Sequence, residues 1–277
     1  MNKEFSVALV GASGVVGTKI IKLLEKRLFP VGKFIPLGNS TVGSSIEFNN
    51  KKYLIESLEN FDPQTAQIII FSAGSTVAEK YARDFVAAGS FVVDLSSNFR
   101  YQDDVPLIIP EINGDIIESL SKPSLIANPN CSTAQLLMAL KPIHDNAKIK
   151  FLNIATYQAV SGTGKAALEE LHNQTYFTDS ENESVVYPKQ IAFNVIPQCD
   201  IFLENNFTKE EMKLTWETHK ILDSSIRIQA TCVRVPVYNG HSEAVFFKVS
   251  KDMSREEIIT IFRSSKWRSC CYSCKCF

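Results

Sequence analysis

Residues 5–17 read FSVALVGASGVVG, and the seam at Gly11 decides the fold. An apolar strand-like run, FSVALV, breaks at Gly11, and two more glycines follow at 14 and 17. From Gly14 to Leu28 the apolar residues at 16, 20, 21, 24 and 28 keep a helical spacing. A strand that ends in a glycine turn and restarts as a helix lets backbone come close to a ligand. It also aims the unpaired N–H groups and the positive end of a helix dipole at that ligand. The spacing G-x-x-G-x-x-G is a variant of the fingerprint that cradles a dinucleotide pyrophosphate, although such turns also occur for purely structural reasons.

Working outward, short apolar runs alternate with amphipathic stretches. KFIPL, KYLIES, QIIIFSA (67–73), FVVDLS (91–96) and SLIAN (124–128) read as strands. STVAEKYARDFVAAG (75–89) reads as a helix stopped at Gly89. This order predicts βαβ units, hence a Rossmann-like, doubly wound parallel sheet in an α/β chain. Past residue 148 the strand candidates lengthen: KIKFLNIATYQAV (148–160), SIRIQATCVRVPVY (225–238) and SEAVFFKVS (242–250). Asn239-Gly240 lies between the last two and signals a hairpin. Thr208-x-x-Glu211 and Ser254-x-x-Glu257 are capping boxes that open two helices. The second half is therefore expected to be an α+β domain with a mixed, largely antiparallel sheet. The boundaries are placed at 1–130, 131–263 and a tail at 264–277.

Composition narrows the function. With 277 residues, 45% hydrophobic content and a formal net charge of −1, the chain can bury one large core or two moderate ones. Near-neutral charge without a basic run argues against nucleic acid as a partner. No apolar stretch reaches the length of a membrane span. The N-terminus shows no signal-peptide cleavage site, so a cytoplasmic location is expected. Of seven cysteines, Cys131, Cys199 and Cys232 are dispersed, which suits a reducing compartment, and four crowd the last residues.

Several residues look chemical. In NPNCSTAQLLMAL (128–140), Cys131 stands at the start of a helical pattern between polar residues. There a helix dipole stabilises a thiolate and makes it a nucleophile; the plainer alternative is a core cysteine. Along SIRIQATCVRVPVY, alternation puts Arg234 on the face of Ile226, Ile228, Ala230 and Cys232. A charge on that face implies an anionic partner or ligand, unless the side chain snorkels to water at the sheet end. His241, seven residues on, can exchange protons near neutral pH, or be one more surface histidine. Glu210, Lys213, Glu217 and Lys220 share a helix face, which on pattern alone reads as a solvated stripe. Arg100 follows DLSSNF beyond a strand end, the ligand edge of a parallel sheet. After the second strand, Asn39, Ser40 and Thr41 offer hydroxyls and an amide, with no acid to grip a ribose diol, which favours NADP.

GASGVVG, SSNFR, NPNCST, QAVSGTGK (158–165) and RVPVYNGHSE (234–243) occur in this order, and together they resemble the aspartate-semialdehyde dehydrogenase family. The resemblance implies NADPH-dependent reductive dephosphorylation of L-aspartyl 4-phosphate to L-aspartate 4-semialdehyde through a cysteine thioester. That step belongs to the biosynthesis of lysine, threonine and methionine. By the same resemblance Cys131 is the nucleophile, Gln158 orients the acyl group and His241 handles the thiol proton. Arg234 clamps the substrate carboxylate and Glu210 meets its amine. Arg100 and Lys213, assisted by Asn130, bind phosphate. Gly11, Ser13, Gly14, Val15 and Val16 cradle the cofactor, with Ser72, Ala73, Gly74, Ser161 and Gly162. The partners implied are a small-molecule substrate, phosphate and a second copy of the chain in a dimer or a dimer of dimers; no metal is implied. The nearest enzymatic rival, N-acetyl-glutamyl-phosphate reductase, sets its cysteine in different flanks.

Two departures stand out. Many relatives carry an arginine where this chain has Asn39-Ser40-Thr41, which weakens the NADP reading. The family pattern breaks after SREEIITIF, and the remainder, RSSKWRSCCYSCKCF, is unlike it. A reading frame that slips near Arg263 accounts for this tail more simply than a metal site at Cys270, Cys271, Cys274 and Cys276. The alternative function is then an inactive truncated remnant that still binds nucleotide.

Overall fold

The structure, a computed structural model, describes residues 3–177 and 184–265. It divides into two compact units, the first ending at Pro129 and the second beginning at Asn130. The cysteine-rich tail lies outside the described residues.

The first unit runs β1 (Phe5–Val10), α1 (Val15–Lys26), β2 (Val31–Gly38), β3 (Ser45–Phe48), β4 (Lys51–Leu54), β5 (Glu56–Ser57), β6 (Ile68–Phe71), α2 (Ser75–Ala87), β7 (Phe91–Asp94), α3 (Pro110–Asn113), α4 (Asp115–Glu118) and β8 (Leu125–Ala127). Six strands form one sheet in the order β5-β2-β1-β6-β7-β8, every pair parallel. Both faces are covered, so strand positions 7–10 are all buried rather than alternating. The chain leaves β1 toward β2 on one side, and β6 lies on the other. The order therefore reverses at the carboxyl ends of β1 and β6, the place where open sheets of this kind take ligands. Gly89, at φ +106, ends α2 as expected: its N–H and that of Ser90 return to the carbonyls of Val86 and Phe85. The antiparallel pair β3–β4 was not anticipated. Its turn is Asn49-Asn50, both at positive φ, and it packs Phe48 and Tyr53 on Phe34 and α1.

The second unit runs α5 (Cys131–Ala147), β9 (Ile149–Gln158), α6 (Lys165–Tyr176), α7 (Lys209–Ile221), β10 (Arg227–Arg234), β11 (His241–Val249) and α8 (Arg255–Ser264). Its three-stranded sheet is mixed: β10 pairs parallel and β11 antiparallel to the central β9. The hairpin expected at Asn239-Gly240 is therefore corrected. β10 and β11 are not neighbours; the chain crosses the end of β9 between them. Val160 and Ser161 donate to the carbonyls of Val237 and Tyr238, which ties down the crossing. One sheet face carries the core: Leu152, Ile154, Ala230 and Cys232 pack against Leu136, Leu140 and Ile143 of α5 and Leu214 of α7. Each fully buried aliphatic side chain there contributes about 1.5–3 kcal/mol. The other face leaves Tyr157 44% and Phe246 60% exposed.

Candidate active site

In the first unit, three turns converge at the sheet reversal. Gly11, at φ +79, follows β1, and a Cβ there would press on Ala73 and the Ser72 carbonyl carbon, at 3.1 Å. Ser72 Oγ donates to the Val10 carbonyl at 2.8 Å, binding the turn after β6 to the turn after β1. Ser13 Oγ lies 3.0 Å from Thr41 Oγ1, which brings in the loop after β2. Ser13, Gly14, Val16, Asn39, Ser40, Ala73 and Gly74 are exposed, and Val15, Thr41 and Ser72 half-buried. A Cβ at Gly17 would run into the Gly11 carbonyl and sit 2.8 Å from that of Ala12, so only glycine lets α1 start this close to the strand. α1 has no capping side chain and no acid in its first turn. Its leading N–H groups, which have no acceptor within the helix, are left for a ligand. This concave turn of backbone donors, free of acidic side chains, fits a pyrophosphate.

Arg100 is also in this unit, 6% exposed, with Nη2 donating to the Leu95 carbonyl at 3.0 Å. Burial pushes the carboxyl of Asp94 up, while Ser96 and the Arg100 charge pull it down.

In the second unit, Arg234, Gln158 and His241 stand on one rung. The register pairs Gln158 with Arg234 on β10 and with His241 on β11. Residues paired across a sheet point to the same face, so the three side chains form a row at the sheet's end. The alternation read in β10 is seen directly: Ala230, Cys232 and Arg234 are buried, and Thr231 is exposed. Ala159 joins two of the three. Its carbonyl accepts from Arg234 Nη1 at 2.7 Å, and its N–H donates to His241 Nδ1 at 3.0 Å. The neutral imidazole therefore carries its proton on Nε2. Burial, and then the Arg234 charge, hold His241 below its ordinary value of 6.5. Arg234 is 7% exposed and its buried Nε has no partner among the described residues. Its guanidinium lies 5.9 Å from the Tyr187 ring, whose hydroxyl meets Thr163 Oγ1 at 2.9 Å. Gly162 sits beside both groups: a Cβ there would be 3.4 Å from Arg234 Nη1 and 3.5 Å from His241 Nε2. Ser161 and Gly162 thus belong with this row in the second unit.

Cys131 opens α5 and is exposed. The helix is capped by Asn130, whose Oδ1 accepts from the N–H groups of Ser132 and Thr133 at 2.9 and 3.4 Å. The other two thiols are buried: desolvation raises Cys199 to about 12 and pushes Cys232 up further. A thiol so raised stays protonated near neutral pH, so Cys131 alone of these three stands at a site suited to nucleophilic chemistry.

α7 connects the row to the cap. Glu210 Oε1 accepts from Asn130 Nδ2 at 2.9 Å and from Gln158 Nε2 at 3.1 Å. Gln158 Nε2 also donates to Ser132 Oγ at 2.7 Å. Glu210 Oε2 accepts from Lys213 at 2.9 Å. Burial opposes ionisation of Glu210, but Lys213, Asn130 and Gln158 together hold its carboxyl below 4.5. The solvated stripe read on this helix is corrected: Glu210 and Glu217 are buried, Lys213 is nearly so, and Lys220 alone is exposed. The reason is that α5 packs on that face and its start needs acceptors. Two residues not assigned to the site from sequence complete the cluster. Glu217, fully buried, accepts the Asn130 N–H at 2.6 Å. Asp200 accepts from Lys213 at 2.8 Å.

Comparison with known proteins agrees in sequence and in structure. The model of the semialdehyde dehydrogenase NAD binding domain matches residues 6–120, and that of the semialdehyde dehydrogenase dimerisation domain matches residues 140–271. The chain is 48% identical over 269 residues to the aspartate-semialdehyde dehydrogenase of Shewanella violacea, covering 96% of this chain and 80% of the relative. It is 42% identical to aspartate-semialdehyde dehydrogenase 2 of Vibrio cholerae, with the same coverage. The crystal structure of aspartate semialdehyde dehydrogenase II from Vibrio cholerae, complexed with ASA, superposes with a TM-score of 0.93 at 42% identity, over 96% of this chain and 80% of that one.

Proposed function

The chain belongs to the aspartate-semialdehyde dehydrogenase family, and on that premise we propose that it catalyses NADPH-dependent reductive dephosphorylation of L-aspartyl 4-phosphate to L-aspartate 4-semialdehyde. The observation that carries this reading is the rung of Arg234, Gln158 and His241, wired through Glu210 and Ser132 to the start of the helix that bears Cys131.

The Cys131 sulfur attacks the acyl carbon of the aspartyl phosphate. The bond to the phosphate oxygen breaks, phosphate leaves and a thioester forms on the enzyme. NADPH, when bound, supplies the hydride. The carbon–sulfur bond then breaks, the aldehyde departs and the thiolate returns. His241 serves the proton traffic through Nε2. In its resting geometry it offers an N–H there, and it becomes an acceptor only by letting go of the Ala159 N–H. Arg234 takes the substrate carboxylate, supported by a buried Nε that has no partner among the described residues. Glu210, ionised and fixed by three donors, faces the substrate amine. Gln158 orients the acyl group, Asn130 positions the thiol's helix, and Lys213 and Arg100 are phosphate ligands.

The cofactor is a nicotinamide dinucleotide, held by Gly11, Ser13, Gly14, Val15, Val16, Ser72, Ala73 and Gly74; Ser161 and Gly162 are cofactor residues by the family resemblance alone. NADP is the form favoured, because Asn39, Ser40 and Thr41 present no acid to a 2′-phosphate. The chain acts as a homodimer, supported by the match to the dimerisation domain and by the exposed aromatic face of the second sheet. A cytoplasmic location fits Cys199 and Cys232, which are free thiols.

The test runs the reaction backward. Purified chain receives aspartate semialdehyde, phosphate and NADP, and reduced cofactor is followed by absorbance. Turnover is expected, and it should vanish in Cys131→Ala while NADP binding remains. Undiminished turnover in that variant overturns the mechanism, and faster turnover with NAD overturns the cofactor choice.

A further inference from the structure

The ammonium of Lys213 is shared before any anion arrives. Its three N–H donors meet Asp200 Oδ2 at 2.8 Å and Glu210 Oε2 at 2.9 Å, which leaves one. The lysine side chain is 12% exposed, so it has little freedom to swing away. The two carboxylates differ in what else holds them. Glu210 also accepts from Asn130 and Gln158 and is tied into the site from every side. Asp200 has no such tie to the rung or to the α5 cap. It lies on a loop folded against the start of α7, where Lys209 N–H donates to the Ile201 carbonyl at 2.8 Å and Phe202 bridges Thr208. Asp200 stands at φ +69, and its Oδ1 accepts the Ile201 N–H at 2.9 Å, which turns Oδ2 toward the lysine.

Asp200 and Glu210 divide the ammonium of Lys213 between them, and Asp200 also feels the charge of Lys209. A phosphate that reaches for the remaining N–H of Lys213 meets an ammonium already held by two carboxylates. We propose that Asp200 restrains Lys213 and weakens its grip on inorganic phosphate, so that phosphate released from the acyl substrate leaves readily. The inference rests on the assignment of Lys213 to phosphate made above. Asp200 is a positioning residue: it acts on phosphate through the lysine and touches no reacting atom.

Asp200→Asn tests it. The amide keeps the size and one oxygen to accept from Lys213, and it removes the charge. In the phosphate-consuming direction the KM for phosphate should fall by about twofold to fivefold, the range expected for one partly exposed charge. The KM for NADP is the control, since a general loosening would raise both constants together. In a Lys213→Met background the same Asp200→Asn change should leave the KM for phosphate where it was. An unchanged or raised KM in the single variant overturns the inference. So does a fall that persists without Lys213, which would mean that Asp200 acts on phosphate directly. A native chain that makes no reduced cofactor is a different failure and sinks the functional reading instead.

Discussion

Gln158 donates from one nitrogen to both Ser132 Oγ and Glu210 Oε1, inside a region where it is 1% exposed. Truncating it to alanine leaves two buried acceptors short of a donor, a loss of about 1–3 kcal/mol. Gln158→Glu keeps the size but buries a carboxylate against Glu210, so it should lose stability as well as activity, and more stability than Gln158→Ala; denaturant midpoints and kcat/KM measured together will check this. The charges carry a pH signature. Glu210 has a folded value held below 4.5, so its contribution to stability is full above that pH and is lost as pH falls through the lowered value. Urea midpoints of the native chain should therefore drop steeply below pH ~4.5, and less steeply in Glu210→Gln. His241 is likewise held below 6.5 by burial and by Arg234, so the neutral ring dominates at pH 7. Turnover should decline only as pH falls through that lowered value, and His241→Asn should lose both activity and that portion of the profile.

The helices depend on their first residues. Asn130→Ala removes the acceptor for two N–H groups of α5 together with the donor to Glu210. A cap alone is worth about 1 kcal/mol, and the buried bond adds to that. Thermal unfolding should fall further for this variant than for Ser254→Ala, which removes the capping box of the more exposed α8. At α1, Gly17→Ala should lower stability by about 1–3 kcal/mol or more and abolish nucleotide binding by titration, because the added methyl meets carbonyl oxygens that cannot move without moving β1. Much at this scale was legible. The glycine turn, both capping boxes and the β10 alternation follow from spacing alone, since each is a local rule. What spacing could not give was contact across long separations. The charges on α7 read as a solvated stripe because nothing in KEEMK records that α5 packs on it. Glu217 was seen only as part of that stripe, and Asp200 carries no pattern of its own. The hairpin at Asn239-Gly240 failed because a turn signal does not say which strands it joins; here β9 lies between them.

Over the whole molecule, the order of strand and helix patterns foretold a parallel sheet and then a mixed, largely antiparallel one; the face that the second sheet leaves open was not legible. That open face holds Phe246 and Tyr157 alongside polar neighbours such as Gln229 and Thr231. Large exposed aromatics on an open sheet face mark an association surface. Phe246→Glu should shift the chain from dimer toward monomer in sedimentation velocity, while the monomer's helix content by circular dichroism stays the same.

Ala159 offers its two backbone groups to opposite tasks, the carbonyl to Arg234 and the N–H to His241. Because both come from the main chain, side-chain replacements at that residue leave both in place, apart from proline, which would remove the N–H. The residues proposed as anion clamp and proton carrier thus hang on a single pivot. Any tilt of that pivot would shift both proposed tasks in one stroke.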